Sequence, residues 1–157
     1  MIVLIRVDER LIHGQVVLGW GTRLRIDRYV VADDELAVSD WEQDIYRLGA
    51  GGVEVVFSTV SRTREQLEGW REDRTRTALL TRDVASMREV ARDGVLSGCE
   101  VNLGGLYHRP GRNRRLSYVH LSKSEAACLL ELENSSVRVE ARDLPESAPV
   151  GLAALLS

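Results

Sequence analysis

The chain has 157 residues, a length that fits one domain able to bury a core without disulfide or metal staples. Its 24 acidic and 21 basic residues give a net charge of -3, which argues against binding to nucleic acid. No apolar stretch is long enough to span a membrane, and Cys99 and Cys128 lie far apart without metal-binding spacing. We therefore expect one domain over residues 1–157, with no metal or other cofactor, in a reducing cytoplasmic compartment.

Apolar runs in the first half of the chain predict strands that alternate with helices. Residues 2–7 are apolar except for Arg6, which is typical of a central strand covered on both faces. Val16, Val17, Trp20 and Leu24 then recur at helical spacing and predict a helix over 15–24. The next predicted elements are a strand 28–32, a helix 36–48 ended by 49–52, a strand 53–57, an exposed helix 64–72, a strand 77–81 and a helix 84–92.

The second half of the chain continues the alternation after one irregular stretch. Residues 100–103 predict a strand, and 104–116 form a loop that contains two glycine-rich turns and a run of arginines. A strand 118–121, a helix 123–134 with Ser122 as its N-cap, a strand 137–142 and a short helix from Val150 complete the chain. This order predicts an α/β fold, a doubly wound, mostly parallel sheet of about seven strands with helices on both faces.

Polar residues and glycines gather where the predicted parallel strands end, which is the edge at which such sheets bind ligands. They are Asp8, Arg10, Asp33, Thr81, Gly104 and Gly105. His13 lies at the same edge, next to the free N–H groups that begin a helix and that favour anions. A neutral imidazole has a lone pair for attack on phosphorus, and Arg10 or Arg6 can stabilise the phosphoryl oxygens. From spacing alone, a histidine that packs or caps the helix start is the commoner case.

Each further candidate also has a purely structural interpretation. Arg6, on an apolar strand, needs an acid such as Asp8 or Asp33 as a salt-bridge partner. Thr81 is slightly favoured as a cap of the helix that starts at Val84. Gly104 and Gly105 can simply form a turn, and the acids at 33–34 lack the other ligands of a metal site.

The basic loop of residues 109–115 has two interpretations that the sequence leaves equally open. Its arginines are either a solvated surface or a docking site, which would contact the acidic face of a protein partner or a membrane-bound partner. His108 belongs to this loop and His120 to the following short strand, and neither lies in a motif.

The run Arg6-Val7-Asp8-Glu9-Arg10-Leu11-Ile12-His13-Gly14-Gln15-Val16 resembles a known signature. It is similar to that of the IIB component of the mannose/fructose/sorbose family of the bacterial phosphoenolpyruvate-dependent sugar phosphotransferase system (PTS). Residues 33–35, 79–81, 101–105 and 137–145 also fall where that family has similar segments, so the resemblance covers essentially the whole chain.

The resemblance implies a protein-N(π)-phosphohistidine–sugar phosphotransferase with His13 as phosphoryl acceptor. A IIA protein would donate the group, and the membrane subunits IIC and IID would deliver the accepting sugar to this peripherally associated cytoplasmic chain. Arg6 and Arg10 would cradle the phosphoryl group, and Asp8 would orient the imidazole. The candidates for substrate contact are Thr81, Gly104, Gly105 and Asp33.

An alternative is a regulatory PTS-type protein whose phosphorylation at His13 signals to a partner without sugar transport. A receiver domain phosphorylated on aspartate is excluded for two reasons. The third strand ends in Phe57-Ser58 without an acceptor aspartate, and the fifth ends in glycine where such a domain needs a lysine. The identity of the sugar, a homodimer and the ring nitrogen that is phosphorylated stay open.

Overall fold

The computed structural model describes residues 1–157 and contains nine strands and six α-helices. The strands are β1 Ile2–Val7, β2 Arg28–Ala32, β3 Glu54–Ser58, β4 Thr77–Thr81, β5 Glu100–Leu103, β6 Asn113–Leu116, β7 Val119–Leu121, β8 Arg138–Ala141 and β9 Val150–Gly151. The α-helices are α1 Thr22–Leu24, α2 Asp40–Gly49, α3 Val60–Glu72, α4 Val84–Ala91, α5 Lys123–Asn134 and α6 Leu152–Leu156. A π-helical stretch, Gln15–Gly21, precedes α1, and 3-10 turns occupy Leu36–Val38 and Arg92–Gly94.

Seven strands form one sheet in the order β3-β2-β4-β1-β5-β8-β9, with β1 at its centre. All pairs are parallel except β8 with the short β9. The predicted α/β class and mostly parallel sheet are confirmed, but the predicted strand 118–121 is not part of this sheet. It pairs as β7 with β6 in a separate antiparallel ribbon inside the stretch expected to be a loop.

Apolar side chains cover both faces of the sheet, which explains why β2 and β4 are buried at every position. One face packs against α3, α4, α5 and α6 in a cluster of 24 buried residues. The other packs against the π-helical stretch and the turn before α2 in a cluster of 12. Helices on both faces were predicted, and right-handed crossovers between parallel strands place them there.

Side-chain caps fix where several helices begin. Ser122 forms the predicted N-cap of α5, and Glu125 completes a capping box by accepting from the Ser122 amide at 2.9 Å. Asp83 caps α4 by accepting from the Ser86 amide at 2.7 Å. The slight preference for Thr81 as this cap was wrong, because the Thr81 hydroxyl donates to the Asp83 carbonyl oxygen instead.

The helix expected over residues 36–48 differs most from its prediction. A 3-10 turn comes first and α2 follows, and the apolar side chains of Trp41, Ile45 and Leu48 point away from the core. Trp41 is 67% exposed and Leu48 is 85% exposed. Hydrophobic periodicity identified the helix correctly, but it cannot tell whether an apolar stripe meets the core or an outside surface.

Candidate functional site

Asp8 is the first residue beyond the central strand and is held between the two neighbouring strands. Its amide donates to the Thr81 carbonyl oxygen at 3.0 Å, and the next amide, that of Glu9, donates to the Gly105 carbonyl oxygen at 2.8 Å. These bonds continue the ladders of β1 with β4 and β5 past the last strand residue. They fix the backbone of Asp8, whose side chain is fully buried.

A tight turn after Asp8 brings His13 back over the Asp8 carboxylate. Leu11 adopts a left-handed backbone with φ of 53°, and its amide donates to the Asp8 carbonyl oxygen at 3.0 Å. A buried leucine in this conformation is strained by roughly 1–3 kcal/mol, which surrounding packing must offset. Strain of this kind is typical of functional loops.

His13 makes one side-chain hydrogen bond, between Nε2 and Asp8 Oδ2 at 3.2 Å. An ionised carboxylate only accepts, so Nε2 carries the hydrogen and Nδ1 keeps its lone pair. The imidazole is 14% exposed, so part of the side chain faces solvent.

Arg6 lies beneath this pair and is completely buried. Its guanidinium donates twice to Asp8 Oδ2, at 3.1 and 3.3 Å, and also to Asn102 Oδ1. The carbonyl oxygens of Arg142 and Asp143 accept its remaining hydrogens at 2.8 and 3.2 Å. Arg6 thus forms the predicted salt bridge with Asp8, and its donors are not free for a ligand.

The electrostatic state of Asp8 follows from these neighbours. Burial alone raises the pKa of a carboxylate, but the hydrogen bond from His13 and the charge of Arg6 outweigh it. The pKa of Asp8 falls from its ordinary value of 3.8 to about 2. The carboxylate therefore stays ionised at physiological pH and keeps orienting the imidazole.

Arg10 is the cation at the surface of the site, with a side chain that is 40% exposed. Its backbone amide donates to Asp8 Oδ1 at 3.0 Å, and its Nη2 donates to Gln15 Oε1 at 2.6 Å. The guanidinium lies over the Tyr107 ring, 5.4 Å from the ring centroid. Its Nε lies 3.7 Å from Asp8 Oδ1, and its Nη1 makes no hydrogen bond within the chain.

Backbone donors also remain open near the imidazole. The amides of Ile12, His13 and Gly14 donate to no backbone carbonyl, because they begin the helix that follows the turn. Unpaired amides at the start of a helix favour negative charge. A lone-pair nitrogen, a free cation and open amides are the groups that transient phosphoryl binding requires.

Gly104 is required by close approach rather than by its φ angle. A Cβ atom at this position would overlap the Arg6 guanidinium and the Asp8 carboxylate. Its amide donates to the Val7 carbonyl oxygen at 2.8 Å, so this N–H is not open to a ligand. At Gly105, a Cβ atom would overlap the Tyr107 ring that supports Arg10.

The structure thus brings together Arg6, Asp8, Arg10, His13 and the glycine pair, but it directs Thr81 and Asp33 elsewhere. Thr81 is buried and bonded to the chain as described above. Asp33 accepts from the Leu36 amide at 2.9 Å and from Arg82 Nε at 2.6 Å. It follows β2, which β4 separates from β1.

Sequence reasoning missed three residues that support the site, namely Asn102, Tyr107 and Arg112. Asn102 and Tyr107 flank the glycine pair, so their places in the chain were a signal that went unused. Arg112 belongs to the basic loop, yet its side chain is only 6% exposed and makes a two-point contact with Glu125 at 2.9 and 2.8 Å. It also binds Glu9 and the Tyr107 carbonyl oxygen, so it braces the loop rather than facing solvent.

No group of three or more His, Cys, Asp or Glu side chains is arranged to hold a metal ion. None of the helices is long and apolar enough to cross a membrane.

Comparison with known proteins decides the family. The sequence profile of the family described as "PTS system sorbose subfamily IIB component" matches residues 2–157. The chain belongs to this family. Similar proteins include the N-acetylgalactosamine-specific phosphotransferase enzyme IIB component 2 of Escherichia coli K12, 28% identical over 99% of this chain and 98% of the relative.

Two further similarities extend the comparison of this sorbose-type IIB component. The crystal structure of manxB from Thermoanaerobacter tengcongensis superposes with a TM-score of 0.89 and 32% identity, covering 99% of this chain and 95% of the other. The mannose-specific EIIAB component of Escherichia coli K12 is 23% identical over all of this chain but only 49% of its own length. The resemblance drawn from the motif is confirmed, and the chain is a phosphotransferase component of a sugar PTS.

Proposed function

We propose that this IIB component carries a phosphoryl group on Nδ1 of His13, taking it from a IIA phosphohistidine and passing it to a sugar. The observation that carries this proposal is the hydrogen bond of 3.2 Å between His13 Nε2 and Asp8. It favours the tautomer with the hydrogen on Nε2, and this supports Nδ1 as the nucleophile.

In the first transfer, the Nδ1 lone pair attacks the phosphorus and the bond from phosphorus to the donor histidine breaks. The donor nitrogen recovers its electron pair, so no external base is needed. Negative charge spreads over the equatorial oxygens in the transition state, where Arg10 and the open amides at 12–14 stabilise it.

In the second transfer, a sugar hydroxyl oxygen attacks the phosphorus, the bond to Nδ1 breaks and the hydroxyl proton is released. The electron pair returns to His13, and Asp8 keeps the ring in the same orientation throughout. Arg6 acts as a positioning residue in both steps, because its donors are bound to Asp8, Asn102 and two carbonyl oxygens.

The proposed partners follow from the family. A IIA protein supplies the phosphoryl group, which agrees with a relative named as an EIIAB component whose length is about twice the matched part. Membrane subunits IIC and IID present the sugar, and the chain works in the cytoplasm at the surface of that complex. Gly105, Thr81 and Asp33 remain candidates for substrate contact, Thr81 and Asp33 only if their present hydrogen bonds are exchanged.

The test is phosphoryl uptake by the purified chain from phosphorylated IIA. We expect one acid-labile phosphate per chain, with phosphopeptide mapping to His13 and 31P NMR reporting Nδ1 substitution. His13→Gln should abolish uptake in protein that thermal unfolding shows to be folded, and His120→Gln serves as the matched control. Phosphate absent from the wild-type chain, or present on Nε2, would overturn the proposal.

The regulatory alternative requires a separate measurement, because it shares the first transfer. Vesicles that contain IIC and IID should form sugar phosphate from the phosphorylated chain, and His13→Gln should prevent this. Uptake from IIA without any sugar phosphate would favour the regulatory role instead.

A further inference from the structure

Three apolar side chains form an exposed stripe along one side of α2. Trp41, Ile45 and Leu48 follow one another at helical spacing and are 67%, 57% and 85% exposed, and Val38, in the turn before the helix, is 82% exposed. A row of large apolar residues, each more than half exposed, is a feature of interaction surfaces rather than of free surface. Neither the core nor the phosphoryl chemistry uses it.

Acids predominate around the stripe, although the exposed Arg47 also lies on α2 and pairs with Asp44 at 3.6 Å. Between Ala32 and Arg47 the chain has acids and no basic residue, namely Asp33, Asp34, Glu35, Asp40, Glu42 and Asp44. Asp34, Glu35, Asp40 and Asp44 are exposed, so the apolar stripe has an acidic rim. A matching partner combines an apolar groove with a basic border.

The acidic-rimmed stripe also adjoins the site of His13. Leu36 and Ala50, which bracket α2, pack in the same buried cluster as Ile12, the neighbour of His13. A side chain added at Gly49, next to Leu48, would touch Ile12. The C-terminal end of α2 therefore packs beside the loop that carries His13.

We infer that the acidic-rimmed stripe on α2 docks this chain on the cytoplasmic face of the membrane subunits, an inference that rests on the proposed function. Cytoplasmic loops of membrane proteins carry an excess of Lys and Arg, which complements the acidic rim. Direct insertion into lipid is disfavoured, because anionic headgroups repel the same acids. A two-fold contact between copies is disfavoured too, since it would place the acidic rim against itself.

The test measures co-sedimentation of the unphosphorylated chain with inverted vesicles that contain cognate IIC and IID, and with empty vesicles of the same lipids. The double variant Trp41→Gln, Leu48→Gln should bind the loaded vesicles roughly tenfold more weakly, because exposed anchors are removed. The matched control Leu130→Gln changes another exposed leucine on α5 and should bind as the wild type does.

A second pair of variants tests the charge. Asp40→Asn with Asp44→Asn should weaken binding and reduce its dependence on salt, whereas Glu65→Gln with Glu133→Gln should not. Unchanged binding by the stripe variants, equal binding to empty vesicles, or a wild-type dimer that the stripe variants dissociate would each overturn the inference.

Phosphoryl uptake from IIA is measured on every variant and separates this inference from the proposed function. Stripe variants that accept phosphate normally but bind vesicles poorly support the inference. Slower uptake by these variants would instead mean that the stripe binds the IIA protein, and this result would overturn the inference. Failure of the wild-type chain to accept phosphate contradicts the proposed function and leaves the binding result to decide the docking surface.

Discussion

Asp8 organises the candidate site, because its buried carboxylate makes hydrogen bonds with Arg6, the Arg10 amide and His13. The sequence could suggest that Asp8 orients the histidine, since the two lie five residues apart in a strand-to-helix loop. It could not show that Arg6 donates all of its side-chain hydrogen bonds to Asp8, Asn102 and the carbonyl oxygens of residues 142–143. Those partners come from distant parts of the chain, and only the folded structure brings them together.

We predict that Asp8→Asn severely weakens both folding and phosphoryl uptake. The amide leaves the buried Arg6 charge without its counter-ion, and breaking such a pair costs about 3–5 kcal/mol. It also no longer forces the hydrogen onto His13 Nε2, so Nδ1 is a nucleophile in only part of the molecules. Urea unfolding measures the first effect and initial uptake rates in the remaining folded protein the second.

Asp44→Asn is the control, because it removes the same charge from a side chain that is 77% exposed to solvent. That variant should change the free energy of unfolding by less than about 0.5 kcal/mol. A mild effect of Asp8→Asn on both measurements would contradict the role assigned to the buried carboxylate.

The lowered pKa of Asp8 predicts how stability depends on acid. The folded-state pKa is about 2 and the ordinary value is 3.8, so the contribution of Asp8 is complete above 3.8. It amounts to about 2 kcal/mol and is lost as the pH falls from near 4 through about 2. The difference in unfolding free energy between the wild type and Asp8→Asn, measured by urea titration between pH 6 and 2, should narrow by about 2 kcal/mol in this window, and parallel curves would contradict the prediction.

Gly104 lets β5 end directly against the guanidinium of Arg6. We predict that Gly104→Ala displaces Arg6 and Asp8, because its Cβ atom has no room. Such overpacking costs about 1–3 kcal/mol, and a displaced Asp8 should slow phosphoryl uptake as well. Thermal unfolding and uptake rates measure both.

A glycine-to-alanine substitution at an exposed helical position should raise the stability of the fold rather than lower it. Gly69 lies exposed inside α3, and a Cβ atom there would meet no other part of the protein within 4 Å, so Gly69→Ala should stabilise the fold by roughly 0.5–1 kcal/mol and leave uptake unchanged. If Gly104→Ala behaved like Gly69→Ala, the close approach described for Gly104 would be wrong.

The basic loop is anchored by Arg112, and we predict that Arg112→Lys loosens it. Lysine keeps the charge but cannot make the two-point contact with Glu125 while also binding Glu9. The expected loss is about 2 kcal/mol of local stability, seen as faster hydrogen exchange over residues 104–116. Arg114→Lys, at an exposed position of the same loop, should exchange as the wild type does.

Strands β2 and β4 are buried at every position and have the predicted bounds, because a continuous apolar run marks both ends of such a strand. Elements defined by their partners were missed. Strand β9 has two residues, too few to show a period, and exists because β8 offers it an edge. The ribbon of β6 and β7 lies in an arginine-rich stretch whose composition indicates a loop, and the brace of Arg112 across it is not visible in the pattern.

Two exposed surfaces of opposite charge lie on either side of β1, the strand that leads to His13. The acidic-rimmed stripe lies on α2, on one side of the sheet order, whereas the basic loop of residues 109–115 follows β5 on the other side of β1. A phosphoryl carrier must meet a donor and an acceptor complex in turn. Surfaces of opposite charge allow the two partners to be told apart while both approach His13.

The basic loop should therefore govern the encounter with IIA, and reversing its exposed charges tests this. We predict that Arg109→Glu with Arg114→Glu slows phosphoryl uptake about tenfold at low salt, because steering of an acidic partner is lost. The difference should shrink as salt screens the charges, and binding to vesicles that contain IIC and IID should stay unchanged. Arg23→Glu with Arg74→Glu makes an equal change in net charge at exposed positions near the opposite edge of the sheet, so it should leave uptake nearly unaffected. Equal slowing by both pairs would mean that net charge acts rather than the loop, and slowing that persists at high salt would mean that the loop residues contribute short-range contacts instead.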